Sequence, residues 1–343
     1  MSPMEKISSS TQIWQDLYRA MAEFKNMRPW EWMHDDDVFA VQNPVHGELG
    51  YCCIMGALGE VFALGVYLGS DGLEIYSRIQ SGSIDPEEVF YNQRVLLASF
   101  EDRDQLSKPD LDQIKSLGLK FRGRNSWPLL RSYLPGYHPW YLTDEEAEYL
   151  TLALQQTLEV ARRCKENNNL LKSKLKGHYF VRVPERAGNT LTWKDAWLKP
   201  SSLPQVEFLA PQPDIIRLEK INQTAPKRQG LWEIDVFYAP MVVKEHGRPY
   251  YPLMVMGAIQ ESGLLFMAEV AGHAEYKERF QNRFIEFLET ANHLPEGLLV
   301  GKDEVRKLFE PVASRLKIKM KIVSRLKILA DAKTKLCNHF LSR

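Results

Sequence analysis

The chain lacks most of the features that announce a chemistry. Its 343 residues include four cysteines, Cys52, Cys53, Cys164 and Cys337, and none forms a Cys-x-x-Cys pair. Neighbours on a strand point to opposite faces, so Cys52 and Cys53 cannot ligate one metal together. Small buried hydrophobes in a reducing compartment are the expectation. Net charge is lacking too. The 44 Lys and Arg balance 44 Asp and Glu, which removes a whole-protein electrostatic case for nucleic acid. No apolar run approaches the roughly 20 residues that span a bilayer. Residues 1–10 are polar and carry no signal-peptide core. A cytoplasmic location without a membrane partner is expected. There is no Gly-x-x-x-x-Gly-Lys-Ser/Thr phosphate loop, no Gly-x-Gly-x-x-Gly after a strand and no Gly-x-Ser-x-Gly elbow. The eight histidines show no His-x-x-x-His or His-Glu-x-x-His spacing. No cofactor is identified.

What is there is an α+β pattern. Ile13, Trp14, Leu17, Tyr18, Met21 and Phe24 recur at helical spacing and stop at Arg28-Pro29. Strands are expected over 37–41, 51–58, 61–68 and 95–100, with a helical region over 71–80. Leu111, Ile114 and Leu117 give a helix that Gly118 ends. Leu119 and Phe121 alternate with Lys120 and Arg122 as a strand does. A proline-broken aromatic loop is expected over 127–140. Thr143 and Glu146 then form a capping-box signature for a helix to about Lys165. Strand-like runs follow at 178–183 and 191–198. Pro200, Pro204, Pro211 and Pro213 mark a linker. This divides the chain into a first unit over 1–200, a linker over 201–229 and a second unit over 230–343.

The second unit repeats the order. Strands are expected over 231–238, 252–259 and 264–270, then an amphipathic helix on Tyr276, Phe280, Phe284 and Phe287, a strand over 298–300 and a helix on Val305, Leu308 and Phe309. Leu316, Ile318, Met320 and Ile322 alternate with lysines, and a final helix carries Leu326, Leu329 and Leu336. Short matches recur in the same order. Asp37-Val38-Phe39 returns as Asp235-Val236-Phe237, Met55-Gly56-Ala57 as Met256-Gly257-Ala258, Leu96-Leu97 as Leu298-Leu299, and Leu117 as Leu316. Two tandem related units from an internal duplication are the expectation. Each is a mixed α/β sheet built from a hairpin region followed by alternating helices and strands.

That element order resembles the ribonuclease H-like fold, in topology only. The run Asp35-Asp36-Asp37-Val38-Phe39-Ala40-Val41 with Gly50-Tyr51-Cys52, and the segment from Arg131 to Trp140, resemble uncharacterised bacterial proteins known only as domains of unknown function. The latter family implies no activity. The ribonuclease H-like resemblance implies positions for metal-binding acids: Asp37, Glu74, Asp102 and Glu145 or Glu148 in the first unit, and Asp235, Glu275 or Glu278, Asp303 and Asp331 in the second. A nuclease of that type would hold Mg²⁺ or Mn²⁺ between three or four converging carboxylates. Acids at strand and helix starts also suit turns and helix N-termini.

Three other features bear on binding. Tyr133, Tyr137, His138 and Trp140 form an aromatic segment suited to recognition or to packing over its own core. Lys317, Lys319 and Lys321, with Arg315, Arg325 and Lys327 nearby, either meet phosphate or protect a strand edge. His34 beside Asp35, Asp36 and Asp37 reads as a solvated turn. The leading expectation is a non-catalytic binding or scaffold protein of the bacterial cytoplasm, with a protein partner favoured over nucleic acid. A metal-dependent nuclease and a non-catalytic nucleic-acid-binding protein are the alternatives.

Overall fold

The computed structural model describes residues 9–341 apart from 174, 189, 204–207, 225–226, 246 and 292. Pro204, one of the four linker prolines, lies outside the described residues. Among those described, no helix is long and apolar enough to cross a membrane. The chain divides into two compact units, Met1–Pro204 and Gln205–Arg343.

The first unit runs α1 (Ser9–Met27), a short 3₁₀ turn at Pro29–Glu31, β1 (Phe39–Gln42), β2 (Leu49–Met55), β3 (Phe62–Leu68), α2 (Gly69–Gln80), α3 (Pro86–Asn92), β4 (Val95–Glu101), α4 (Lys108–Ser116), β5 (Trp127–Tyr133), α5 (Asp144–Glu166), β6 (Tyr179–Ala187) and β7 (Thr190–Leu198). Seven strands form one sheet in the order β5-β4-β3-β2-β1-β6-β7. Its first five strands are an antiparallel meander, and β6 lies parallel to β1. The strand alternation gives each face its own core. Phe39, Val41, Cys52, Ile54, Leu64 and Val66 face α1 and α5. Ala40, Tyr51, Cys53 and Tyr67 face Leu73 and Tyr76 of α2. Cys52 and Cys53 therefore sit on opposite faces, as the strand rule requires. The capping box of α5 forms as expected. Glu146 N–H donates to Thr143 Oγ1 at 3.2 Å, and Thr143 N–H to Glu146 Oε2 at 2.9 Å.

Two expectations fail in this unit. Residues 119–122 form no strand, because β5 already takes the outer edge of β4; Leu119 and Phe121 pack as coil against the core. Residues 127–133 are a strand rather than a loop, in register with β4 over seven pairs. Pro128 does not break it, because an edge strand has no second neighbour that needs the missing N–H.

The second unit runs α6 (Ile215–Gln223), β8 (Lys227–Arg228), β9 (Leu231–Tyr238), β10 (Leu253–Ile259), β11 (Leu265–Ala271), α7 (Tyr276–Thr290), β12 (His293–Leu294), β13 (Gly297–Val300), α8 (Asp303–Arg315), β14 (Lys319–Ile322) and α9 (Lys327–Leu341). The stretch 201–229, expected as a linker, carries α6, whose Leu218 and Ile221 belong to this unit's core. The main sheet has the order β11-β10-β9-β13-β14. β9, β10 and β11 form an antiparallel meander, and β13 is parallel to both β9 and β14. This is the ribonuclease H-like order expected from the sequence. α7 and α8 cover one face through Phe280, Phe284, Leu308 and Phe309, and Leu329 of α9, with Leu326 just before the helix, covers the other.

The first unit has the same sequence of elements but a different pairing. There β4 joins the outer side of β3, and β6 takes the place beside β1. The Leu96-Leu97 and Leu298-Leu299 matches thus fall on strands that are not equivalent. The part common to both sheets is the three-stranded meander with a parallel neighbour on its first strand.

Candidate functional site

The acids implied by the nuclease resemblance do not come together. Asp37 precedes β1 and accepts the His34 N–H at 2.9 Å. It lies toward α5, where it helps push the Cys164 thiol up to about 11, after burial as the main cause. Glu74 is exposed on α2, on the opposite face of the sheet. Asp102 directly follows β4, which lies three strands from β1, or roughly 14 Å at the usual strand spacing. It accepts the Asn125 N–H at 2.7 Å. Glu145 and Glu148 are exposed near the start of α5.

In the second unit, Asp235 is buried on the α9 face of β9 and pairs with Lys333. Glu278 lies on α7, across the sheet. It lines an open groove of about 600 Å³ with Glu269, Glu275, Arg279 and Arg283, whose charges pair with one another at 2.5–3.9 Å. Asp303 opens α8 and pairs with Arg306 and Lys307, each at 2.9 Å, and these cations hold its carboxyl below the usual range. Asp331 is exposed on α9. Among the described residues, no three His, Cys, Asp or Glu side chains group closely enough to hold a metal ion. That includes His34 and the acids after it.

The aromatic segment is built differently from its sequence reading. Tyr133 ends β5, half-buried against the α2-side core, and burial pushes its phenol up although Arg131 opposes this. The chain then reverses through Leu134-Pro135-Gly136-Tyr137. Tyr137 N–H donates to Leu134 O at 3.0 Å, and Gly136 has φ +78°. Proline at the second position and a positive φ at the third define a type II turn, for which glycine is the low-cost residue. The turn is tied down on two sides. Gly136 N–H donates to Tyr91 O of α3 at 2.8 Å. Trp140 and Ser132 exchange N–H···O bonds of 3.0 and 2.8 Å, which extends the sheet beyond its edge strand. Ser132 Oγ also donates to Glu146 Oε1 at 2.7 Å, linking the segment to the α5 cap.

Beneath it, Arg131 meets Asp110 with two bonds of 2.8 and 2.7 Å and stacks on Tyr141 at 4.9 Å. Burial alone would raise the Asp110 carboxyl, but Arg131 and Ser107 outweigh it and hold it low. The Tyr141 ring meets Trp140 edge-on at 5.0 Å. What remains at the surface is aromatic. Tyr137 is 37% exposed and Phe90 of α3 is 50% exposed. The Phe90 ring lies 6.2 Å from that of Tyr91, the residue that holds Gly136. His138 and Trp140 are half-buried beside them. Sequence reading missed Phe90, which lies in a short stretch between 80 and 95 that carried no periodic apolar pattern.

The three lysines lie elsewhere. Lys319 and Lys321 are exposed on the edge strand β14. Lys317 is exposed in the left-handed turn after α8, with φ +55°.

Residues 14–182 match the model of a domain of unknown function, DUF7309, and residues 217–337 match that of a second domain of unknown function, DUF6930. The two matches fall one in each compact unit, consistent with an uncharacterised two-domain family. No curated protein matches the chain.

Proposed function

We propose that this tandem of two domains of unknown function is a non-catalytic binding or scaffold protein of the bacterial cytoplasm, and that its first unit grips a protein partner through Tyr137 of the 134–137 turn and Phe90 of α3, the helix to which that turn is bonded. The observation that carries the reading is two exposed aromatic rings, Tyr137 on a turn fixed by backbone bonds to β5 and α3, and Phe90 on α3 itself. Aromatic side chains dominate binding hot spots, and a pre-ordered turn loses little entropy on docking. The acids give further support. Asp102, Asp235 and Asp303 are engaged by local backbone or cations rather than converging. The free thiols of Cys52, Cys53 and Cys164, all buried, suit a reducing cytoplasm. We read the β1–β3 and β9–β11 meanders as the remnant of one duplicated unit.

The test is affinity capture by the full chain against F90A/Y137A, with W140A as a second variant and far-UV CD as the folding control. Loss of the captured partner from folded F90A/Y137A is expected. Equal capture by that variant would sink the proposal.

A further inference from the structure

A second surface, independent of the aromatic turn, stands out by its uncompensated charge. Between Glu310 and Asp331 the chain has six basic residues, Arg315, Lys317, Lys319, Lys321, Arg325 and Lys327, and no acidic one. All six are exposed. No ion pair involves any of them among the described residues. Several other cations of the unit do have carboxylate partners: Arg217 with Glu289, Arg279 with Glu269 and Glu275, Arg306 with Asp303 and Glu310, and Lys333 with Asp235.

The fold gathers the six along one margin. β14 is the outer strand of the sheet, with β13 as its neighbour. Ile318 and Met320 turn inward to the core, so Lys319 and Lys321 share the other side. Two residues apart on a strand, they stand about 6.6 Å from one another, comparable with successive phosphates along a nucleic-acid backbone. Lys317 extends the row at one end, and Arg325 and Lys327 extend it at the other. Arg228 joins it by donating to the carbonyl oxygens of Leu316 and Lys317.

We propose that this margin binds the phosphate backbone of a nucleic-acid duplex without reading its bases. Charge complementarity to a regularly spaced polyanion selects the ligand. No Phe, Tyr or Trp occurs between 310 and 339, so unstacked bases of a single strand have no platform there. Ile322 is the one large exposed apolar side chain of the segment among the described residues, too little to anchor a membrane surface.

The experiment titrates the full-length chain into a labelled duplex by fluorescence anisotropy at several salt concentrations. Binding in the micromolar range at about 50 mM salt is expected, with log K falling against log salt at a slope of about −4 to −5. K319E/K321E keeps the edge charged and therefore protected from strand pairing. It should bind at least tenfold more weakly, with a slope shallower by about 2. Absence of duplex binding, equal binding by folded K319E/K321E, preference for single strands, or binding to anionic vesicles alone would each overturn the proposal. The aromatic-turn variant F90A/Y137A should bind the duplex as the parent does.

Discussion

Glu233 offers the sharpest test of how the second unit is held together. Its side chain is fully buried on β9, and its carboxylate sits at the N-terminus of α9. Oε1 accepts the Lys327 N–H at 2.9 Å, and Oε2 accepts those of Ile328 and Leu329 at 3.0 Å each. Gln260 Nε2 adds a fourth bond at 2.8 Å. The first turn of a helix has N–H groups with no partner inside the helix, and the macrodipole favours an anion there. Here a strand from the far side of the sequence supplies the cap. A bond to a charged acceptor contributes about 1.5–3 kcal/mol, and an orphaned buried donor costs about 1–3 kcal/mol. In Glu233→Ala the exposed Lys327 end recovers water, but the Leu329 N–H does not. The expected loss is therefore about 3–5 kcal/mol rather than the full sum of three. Glu233→Gln keeps one acceptor but turns an NH₂ toward the helix, for a loss of about 2–3 kcal/mol. Urea unfolding followed by CD, with hydrogen exchange across α9, measures both. A loss below about 1 kcal/mol, or unchanged exchange in α9, would refute the capping argument.

Three further outcomes follow from the same geometry. Lys317 occupies the left-handed position after α8, where Gly118 stands after α4 with matching bonds; Lys317→Gly should raise stability by about 0.5–1 kcal/mol in thermal or urea unfolding. Asp110 is held below its usual range in the Arg131 pair. The stability it contributes is therefore present above the unfolded value near 3.9 and disappears as pH falls through the lower folded value. Asp110→Asn should cost about 3–5 kcal/mol at pH 7, because it strands Arg131, and should flatten the acid limb of the Tm–pH curve. Burial pushes the thiols of Cys52 and Cys53 up to about 12; a thiol-titration reagent at pH 8 should leave both unmodified in the native chain and reach all four cysteines only after unfolding.

Much of the element pattern was legible because it rests on local rules. The Thr143–Glu146 box and the Gly118 stop need only neighbours in sequence. The edge role of β5 was not legible, since whether Pro128 is tolerated depends on what lies on the far side of the strand. The pairing of β4 was hidden for the same reason: element order leaves open which edge a strand joins. The acids were placed by analogy of order; in the first unit that analogy failed once β4 joined β3 rather than β1, and in the second the order holds but Asp235 and Asp303 pair with cations while Glu278 lies across the sheet. Glu233 and Asp235 carried a signal that went unread. Two carboxylates at i and i+2 inside an apolar strand share a face, and burying them demands donors or cations. Their partners, the α9 N-terminus and Lys333, lie about a hundred residues away. The aromatic segment was found from its residue types, while Phe90 joins it only through the Gly136–Tyr91 bond.

The measurement that meets the central claim most directly is site-specific photocrosslinking in living cells, with a photoreactive amino acid placed at Tyr137 and, as control, at the exposed Lys108 of α4. Discrete adducts to a defined protein from position 137, absent from position 108 and reduced by Phe90→Ala, are the predicted result. No adduct at 137, or the same pattern from both positions, would contradict a partner site at the aromatic turn.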